Sequence, residues 1–322
     1  MSGFLSLSDV GGSTIQATAP WVEDARRRLK RLQRDDGAWC YRHNATPAVE
    51  PTALAGLALL ATDSKSRSEP DREAACAAAR RLAAMNSRNG SLGVTTGLVE
   101  PGWATPAAIL LWSALGEFEP QLRRAIDWLL SVQGVRTAKT KDDPMGHDPT
   151  IVGWSWAVGT HSWVEPTALS ILALNRVGKG GHARVAEGFR LLRDRAIPTG
   201  GWNYGNPVAF GTPLRALPAP TSLALLALAT TGQPESVART ALKVLQPILG
   251  KTRAPVSLGW SMLSLRAWGA SPEWASEALE ASYERPSTQV DPLGLALLLL
   301  AEGARSLELF GLPSRSTEVA HV

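Results

Sequence analysis

Two cysteines, three tyrosines and five phenylalanines are few for 322 residues. Cys40 and Cys76 make no disulfide framework, so the fold must rest on its core. Long β-branched runs are scarce too, whereas alanine and leucine dominate, which is a helical composition. The longest apolar runs, such as 293–301, reach about half the ~20 residues that a bilayer-spanning helix needs. No basic segment followed by an apolar one opens the chain, so a secretory signal is not expected and the protein reads as soluble and cytoplasmic. There is no Gly-rich phosphate loop ending in Lys-Ser/Thr, and no Ser–His–Asp set with a local motif. The short run 178–181 reads as a helix C-terminus instead.

A strong excess of one charge is also missing. Lys and Arg number 33 against 29 Asp and Glu, a net charge of +4. Much of it sits in Arg26, Arg27, Arg28, Lys30, Arg31 and Arg34. On a helix these cover one broad face, read as solvated surface; peripheral contact with an anionic membrane is the sharper alternative. No aromatic residues interleave with them, so a nucleic-acid stacking platform is not expected.

What is present is a large apolar fraction (44%), enough for a sizeable core, and 12 tryptophans, many beside glycine in loops. Residues 1–20 read as a flexible tail and 306–322 as a second one. Between them, over 21–305, a two-beat pattern runs. Amphipathic helices are expected near 21–34, 71–86, 119–133, 182–196, 235–249 and 272–284. In the first, Trp21, Val22, Ala25, Leu29 and Leu32 recur at spacings of three and four. Each amphipathic helix is followed by a loop and then by an almost wholly apolar helix. These begin at Pro51, Pro106, Pro166, Pro220, Pro255 and Pro292. Proline suits the first helical turn, where its missing N–H would have had no partner.

A helix apolar on every side must be surrounded by protein. Six such helices alternating with six one-sided ones predict an all-α fold, an (α/α)6 toroid of six outer/inner helix pairs. An open solenoid would leave one face of the inner helices wet, and that face is not polar. In the closed form all inner N-termini gather at one mouth, with the long loops at 35–50, 87–105, 134–165 and 197–219. Loops on a rigid scaffold are where chemistry usually sits.

The phrase Val-Glu-Pro-Thr-Ala-Leu occurs twice, at Val49–Leu54 and Val164–Leu169. It puts Glu50 and Glu165 at or near helix N-caps. Asp291 stands at the same place before Pro292, and ring closure would bring it beside Glu50. Acids at helix N-termini are stabilised as anions, which is a sufficient structural reason for all three. The functional reading is an acid facing an apolar cavity, where burial keeps its proton on. Glu165 is favoured over Glu50, because Trp154, Trp156, His161 and Trp163 crowd its loop. Trp103, Trp154, Trp156 and Trp163 are expected to line the cavity, together with His161 and Tyr204. Indole faces attract positive charge by about 0.5–2 kcal/mol. Trp39 and Trp202 are expected to wedge between helix pairs.

The loop Leu32-Gln33-Arg34-Asp35-Asp36-Gly37-Ala38-Trp39 resembles the Gln…Gly-x-Trp repeat (QW motif) of squalene–hopene cyclases and related terpenoid cyclases. Degenerate echoes stand at Asn89–Leu92, Gly153–Trp156 and Thr199–Trp202. The Pro-Thr-Ala-Leu helix starts are also similar to this superfamily, which includes protein prenyltransferase β subunits. The resemblance covers about residues 20–305. It implies an α/α toroid and a hydrophobic, isoprenoid-like ligand. Class II cyclases carry Asp-x-Asp-Asp followed by Thr-Ala, with the central Asp protonating an alkene or epoxide. Laid on that pattern, Glu50 and Glu165 take the central place and the flanking acids are absent. The prenyltransferases' zinc-binding Asp-x-Cys is absent too. Cys40-x-x-His43 offers only two ligands, which His147 or His161 would have to complete, so no metal and no cofactor is expected. A third possibility is an anion site, with Arg42, Arg215 and His161 holding a diphosphate at the helix N-termini. The leading expectation is a class II-like terpenoid cyclase using a Glu proton donor. The alternative is a non-catalytic toroid that binds a hydrophobic ligand or a partner.

Overall fold

Proline lies in the first turn of every inner helix in the computed structural model, which describes residues 19–42, 45–62, 68–98, 100, 102–140, 144–233, 235–285 and 291–312. The inner helices are α2 (Val49–Leu60), α4 (Thr105–Leu115), α6 (Val164–Arg176), α8 (Pro218–Ala229), α10 (Pro255–Ala267) and α12 (Pro292–Glu302). The outer ones are α1 (Pro20–Arg31), α3 (Glu69–Met85), α5 (Glu119–Ser131), α7 (Ala183–Asp194), α9 (Ser236–Leu249) and α11 (Ala275–Tyr283). A small antiparallel hairpin, β1 (Val208–Ala209) and β2 (Thr212–Pro213), projects from the loop before α8.

The inner helices pack in sequence, and α12 returns to α2, which closes the ring. Each outer helix packs chiefly on the inner helix that precedes it. The place behind α12 is filled by α1, from the opposite end of the chain. Outer helices bury one stripe, such as Ala238, Ala241, Leu245 and Leu249 of α9, while eleven residues of twelve-residue α2 are buried. Close approach inside the ring needs small residues. A Cβ on Gly259 would lie 2.6 Å from the carbonyl oxygen of Leu297 on α12.

The centre is not an open lumen at its far end. Residues 306–312, expected as tail, instead fold into the short helix α13 (Ser306–Leu309) with Phe310 and Leu312 buried behind it. This segment touches α2, α4, α10 and α12, and Phe310 meets the Trp260 ring edge-on at 5.6 Å. The Arg305 N–H donates to the Ala61 carbonyl past the end of α2. The segment therefore plugs the ring at the C-terminal ends of the inner helices, which is why those helices carry no polar lumen face.

The basic cluster also differs from expectation. Arg26 is buried and pairs with Glu23, at 3.1 Å, and with buried Asp71 of α3. Lys30 Nζ lies 2.7 Å from Asp71 Oδ1. Part of the charge thus holds α1 to α3 and is not free for an anionic surface. Among the described residues, no helix is long and apolar enough to cross a membrane.

Candidate active site at the toroid mouth

A threonine hydroxyl organises four of the six inner-helix entrances. In α2, Thr52 Oγ1 accepts the Trp39 backbone N–H at 2.9 Å. Thr167 does the same for Trp154 at 3.0 Å, and Thr221 for Trp202 at 2.9 Å. Thr105 of α4 accepts from Leu92 at 2.9 Å. Each of these tryptophans then donates its indole N–H back to an outer-helix carbonyl: Trp39 to Leu29, Trp154 to Leu129 and Trp202 to Leu192. All three are buried.

Trp154 therefore occupies the same wedge position as Trp39 and Trp202 while also lining a small pocket. The Arg184 guanidinium lies 4.4 Å from its ring centroid and donates to the Val132 and Gly153 carbonyls. The signal was present: Trp39 to Thr52 and Trp154 to Thr167 are each thirteen residues apart. The same spacing, from Leu92 to Thr105, corrects the register of α4. Aligned on proline, the counterpart of Glu50 and Glu165 in α4 is Thr105; aligned on the threonine that makes the contact, it is Trp103.

Glu50 and Glu165 are not caps. The N-cap residues are Ala48 and Trp163, and neither makes a side-chain cap bond. Both glutamates sit at the second helical residue. There the helix dipole favours the anion, but burial opposes it and wins. Burial raises Glu50 to about 6, although the Tyr41 hydroxyl donates to its Oε2 at 2.7 Å and favours the anion. Burial, then the neighbouring Glu50 charge, raises Glu165 to about 7. Burial and the Glu50 charge together hold the Tyr41 phenol protonated. Tyr41 carried no signal in the sequence, being one loop aromatic nine residues before its partner.

Glu50 and Glu165 thus stand at the same place on α2 and α6, with α4 between them, and the Glu50 charge adds to the rise at Glu165. Asp291 is instead committed to its own helix as a true N-cap, accepting the Gly294 N–H at 2.7 Å.

Trp103 and Trp156 meet edge-to-face, with centroids 4.7 Å apart. With Trp154, Trp128 of α5 and Pro166 they border a pocket whose open volume, about 10 Å³, suits about one water; neither Glu50 nor Glu165 lines it. Trp163, His161 and Tyr204 lie elsewhere. Trp163 and His161 border a separate groove of about 350 Å³. Tyr204 is exposed, and its carbonyl accepts the Val164 N–H at 2.9 Å. His43 lies outside the described residues, so the Cys40/His43 pair has no geometry here. Cys40 Sγ donates to the Ala45 carbonyl. Among the described residues no group of three His, Cys, Asp or Glu could hold a metal.

These features define an α/α toroid with a carboxylate pair at its mouth. Among solved structures, the chain is similar in fold to the type II terpene cyclase MstE from Scytonema, in its apo form. The two share 17% identity over 83% of this chain and 79% of that one, with a TM-score of 0.56. It is also similar to an inactive variant of an α-1,6-mannanase from Salegentibacter sp. HEL1_6 bound to α-1,6-mannotriose, at 10% identity over 90% and 98% of the chains and a TM-score of 0.60. An α-amylase from Clostridium perfringens matches at 11% identity over 89% and 98%, with a TM-score of 0.61. No protein-family model matches the sequence, nor does any curated protein sequence. At these identities the likeness establishes the fold alone, and the fold hosts different chemistries.

Proposed function

We propose that the protein processes a hydrophobic, isoprenoid-like molecule as a class II-like terpenoid cyclase, with Glu165 as proton donor. The observation that carries this reading is the placement of two glutamates at the second residue of α2 and of α6, with Glu50 taking the Tyr41 hydroxyl at 2.7 Å and Glu165 having no such donor among the described residues. Burial raises both carboxyls, Glu165 to about 7 and Glu50 to about 6, and the Tyr41 hydroxyl favours the anion at Glu50 alone. Two carboxyl groups whose surroundings separate their proton affinities are suited to acid and base roles.

The reaction would then be neutral in protons. Glu165 delivers its proton, a carbocation forms and rearranges, and Glu50 removes a proton from carbon to leave an alkene. The ring pair Trp103–Trp156 supplies indole faces for the cationic stage. A carboxylic acid near 7 is a weak donor to a carbon–carbon double bond. An oxygen lone pair accepts a proton far more readily, so the favoured substrate is an epoxide-bearing polyprenyl rather than the bare polyene. Leu98, Val158, Tyr204 and Phe210 are exposed apolar side chains, and all lie on mouth-side loops, where a water-insoluble substrate would arrive.

The alternative, a toroid that binds such a molecule without turnover, draws on one observation. The pocket that Trp103 and Trp156 border is small, and neither glutamate lines it. Incubation with epoxidised and plain polyprenyl substrates, followed by mass spectrometry, separates the two. Cyclised product from the epoxide, lost in both Glu165→Gln and Glu50→Gln, is the expected result. Turnover unaffected by either substitution ends the acid assignment. Binding without product supports the alternative. A glycoside panel run in parallel covers the chemistry named for two of the fold relatives, and hydrolysis that depends on both glutamates would replace the isoprenoid reading.

A further inference from the structure

Four of the twelve tryptophans line one hollow. They come from three stretches: Trp103 just before α4, Trp128 of α5, and Trp154 and Trp156 in the loop before α6. Pro106 and Pro166 complete the wall, and among the described residues no charged side chain lines it.

Three of these indoles are not used as hooks. Trp39, Trp112, Trp154, Trp202 and Trp268 donate their indole N–H to backbone carbonyls. The indole N–H groups of Trp103, Trp128 and Trp156 have no partner among the described residues, and all three rings are half-buried. Their placement is nonetheless fixed. Gly102 abuts Trp128, and a Cβ there would lie 2.5 Å from the outer edge of that ring. Trp103 and Trp156 stand at 74° to one another with centroids 4.7 Å apart, so a small group in the angle meets the face of each. The open volume, about 10 Å³, suits one water or a group of about that size, such as a single methyl.

Indole faces are electronegative, so the group they hold best is a small cation that gives up little hydration. The chain supplies one instance. The Arg184 guanidinium lies 4.4 Å from the Trp154 centroid, with its charge balanced by Glu187 at 3.3 Å. Trp154 is thus served from within, and the other three rings are left for a cation from outside. A primary ammonium is strongly hydrated and would find no charged acceptor in this wall. A methylated ammonium spreads its charge over methyl groups, each of the size the hollow admits.

We infer that the four-tryptophan hollow is a binding site for a methylated ammonium group, as in a choline-like quaternary amine. The inference rests on the reading of these rings as faces for positive charge, and not on turnover or on the two glutamates. The full-length protein is titrated with choline and with 3,3-dimethylbutan-1-ol, its uncharged counterpart in shape. Tryptophan fluorescence and calorimetry follow the binding. Choline is expected to bind one-to-one and about tenfold or more tighter than the alcohol, since several indole faces act together. Dihexanoyl phosphatidylcholine is titrated beside it. Equal affinity points to a free small amine and a clear preference to a lipid head, and either supports the inference. Trp103→Leu and Trp156→Leu keep apolar surface and remove a face, so each should weaken choline about fivefold or more and leave the alcohol nearly unchanged. Trp274→Leu, at the half-buried N-cap of α11, should change neither. If the two pocket variants do not fold, Val158→Lys carries the test, because Val158 is 54% exposed on the rim and a lysine there competes with the ligand. Equal affinity for choline and the alcohol overturns the inference. So does choline binding that survives Trp156→Leu and Val158→Lys, or no binding of choline. Cyclised product without choline binding removes this inference and leaves the proton donor standing, whereas choline binding without product does the reverse.

Discussion

At the scale of single residues, the pair Glu50–Glu165 ties the mouth to pH. Both carboxyls are raised from 4.5 in the folded chain, to about 6 and about 7. The native state therefore holds protons that the unfolded chain has already released. That contribution is fully present below about 4.5, declines as pH rises, and is gone once Glu165 has titrated through about 7. Stability should fall between about pH 5 and pH 8, by on the order of 1–3 kcal/mol for the pair. Glu165→Gln, which carries no charge at any pH, should flatten this slope and be the more stable form at the alkaline end. Urea midpoints measured across that range check it, and a slope unchanged by the substitution would mean that Glu165 is an ordinary solvated carboxylate. If the same acid drives turnover, activity should decline over the same alkaline limb.

At the scale of elements, the loop-to-helix hook is the recurring device. Each threonine hydroxyl takes a backbone N–H that is otherwise buried without a partner, and each indole N–H ties the loop to an outer helix. Thr167→Val keeps the shape and removes the acceptor, stranding the Trp154 N–H at a cost of about 1–3 kcal/mol. Thr167→Ser should restore most of it. Urea denaturation measures both, and a loss in Thr167→Val below about 0.5 kcal/mol would mean that the hook adds nothing beyond packing. The glycine before the wedge is equally constrained. Gly90 has φ of +97°, and a Cβ there would sit 2.1 Å from the Arg124 carbonyl oxygen.

The hooks also explain what could and could not be read ahead. Apolar runs opening at proline located all six inner helices, because burial on every side leaves an unmistakable composition. The register at the mouth was harder. Alignment on proline put Thr105 opposite Glu50, whereas the hydroxyl that makes the contact puts Trp103 there. The Glu50–Glu165 coupling and the Tyr41 bond had no local signal, since they join loops and helices distant in sequence. Asp291, the third acid before an inner-helix proline, differs from the two glutamates in capping its own helix through a hydrogen bond from Gly294.

At the scale of the whole molecule, the toroid is closed twice by chain ends. Around the ring, α1 covers α12, with Trp21 against the Tyr283 ring at 5.7 Å and the Tyr283 hydroxyl bonded to Asp24. Along the axis, 306–312 closes the far end, with Phe310 wholly buried against Trp260. The plug lies at the C-terminal ends of the inner helices, opposite the loops that carry Trp103 and Trp156. The plug is anchored by an aromatic contact, Phe310 against Trp260 of α10. Phe310→Ala leaves a cavity beside Trp260 of α10 at a wholly buried position, and such truncations cost about 3–5 kcal/mol. Because the ring is continuous, the loss should appear as a shift of one unfolding transition, not as the melting of a separate C-terminal piece. Circular dichroism and tryptophan fluorescence followed together through a urea titration distinguish these. Coincident curves shifted to lower urea fit a plug integral to the core. An early partial transition, with the rest of the toroid unmoved, would make 306–312 an appendage.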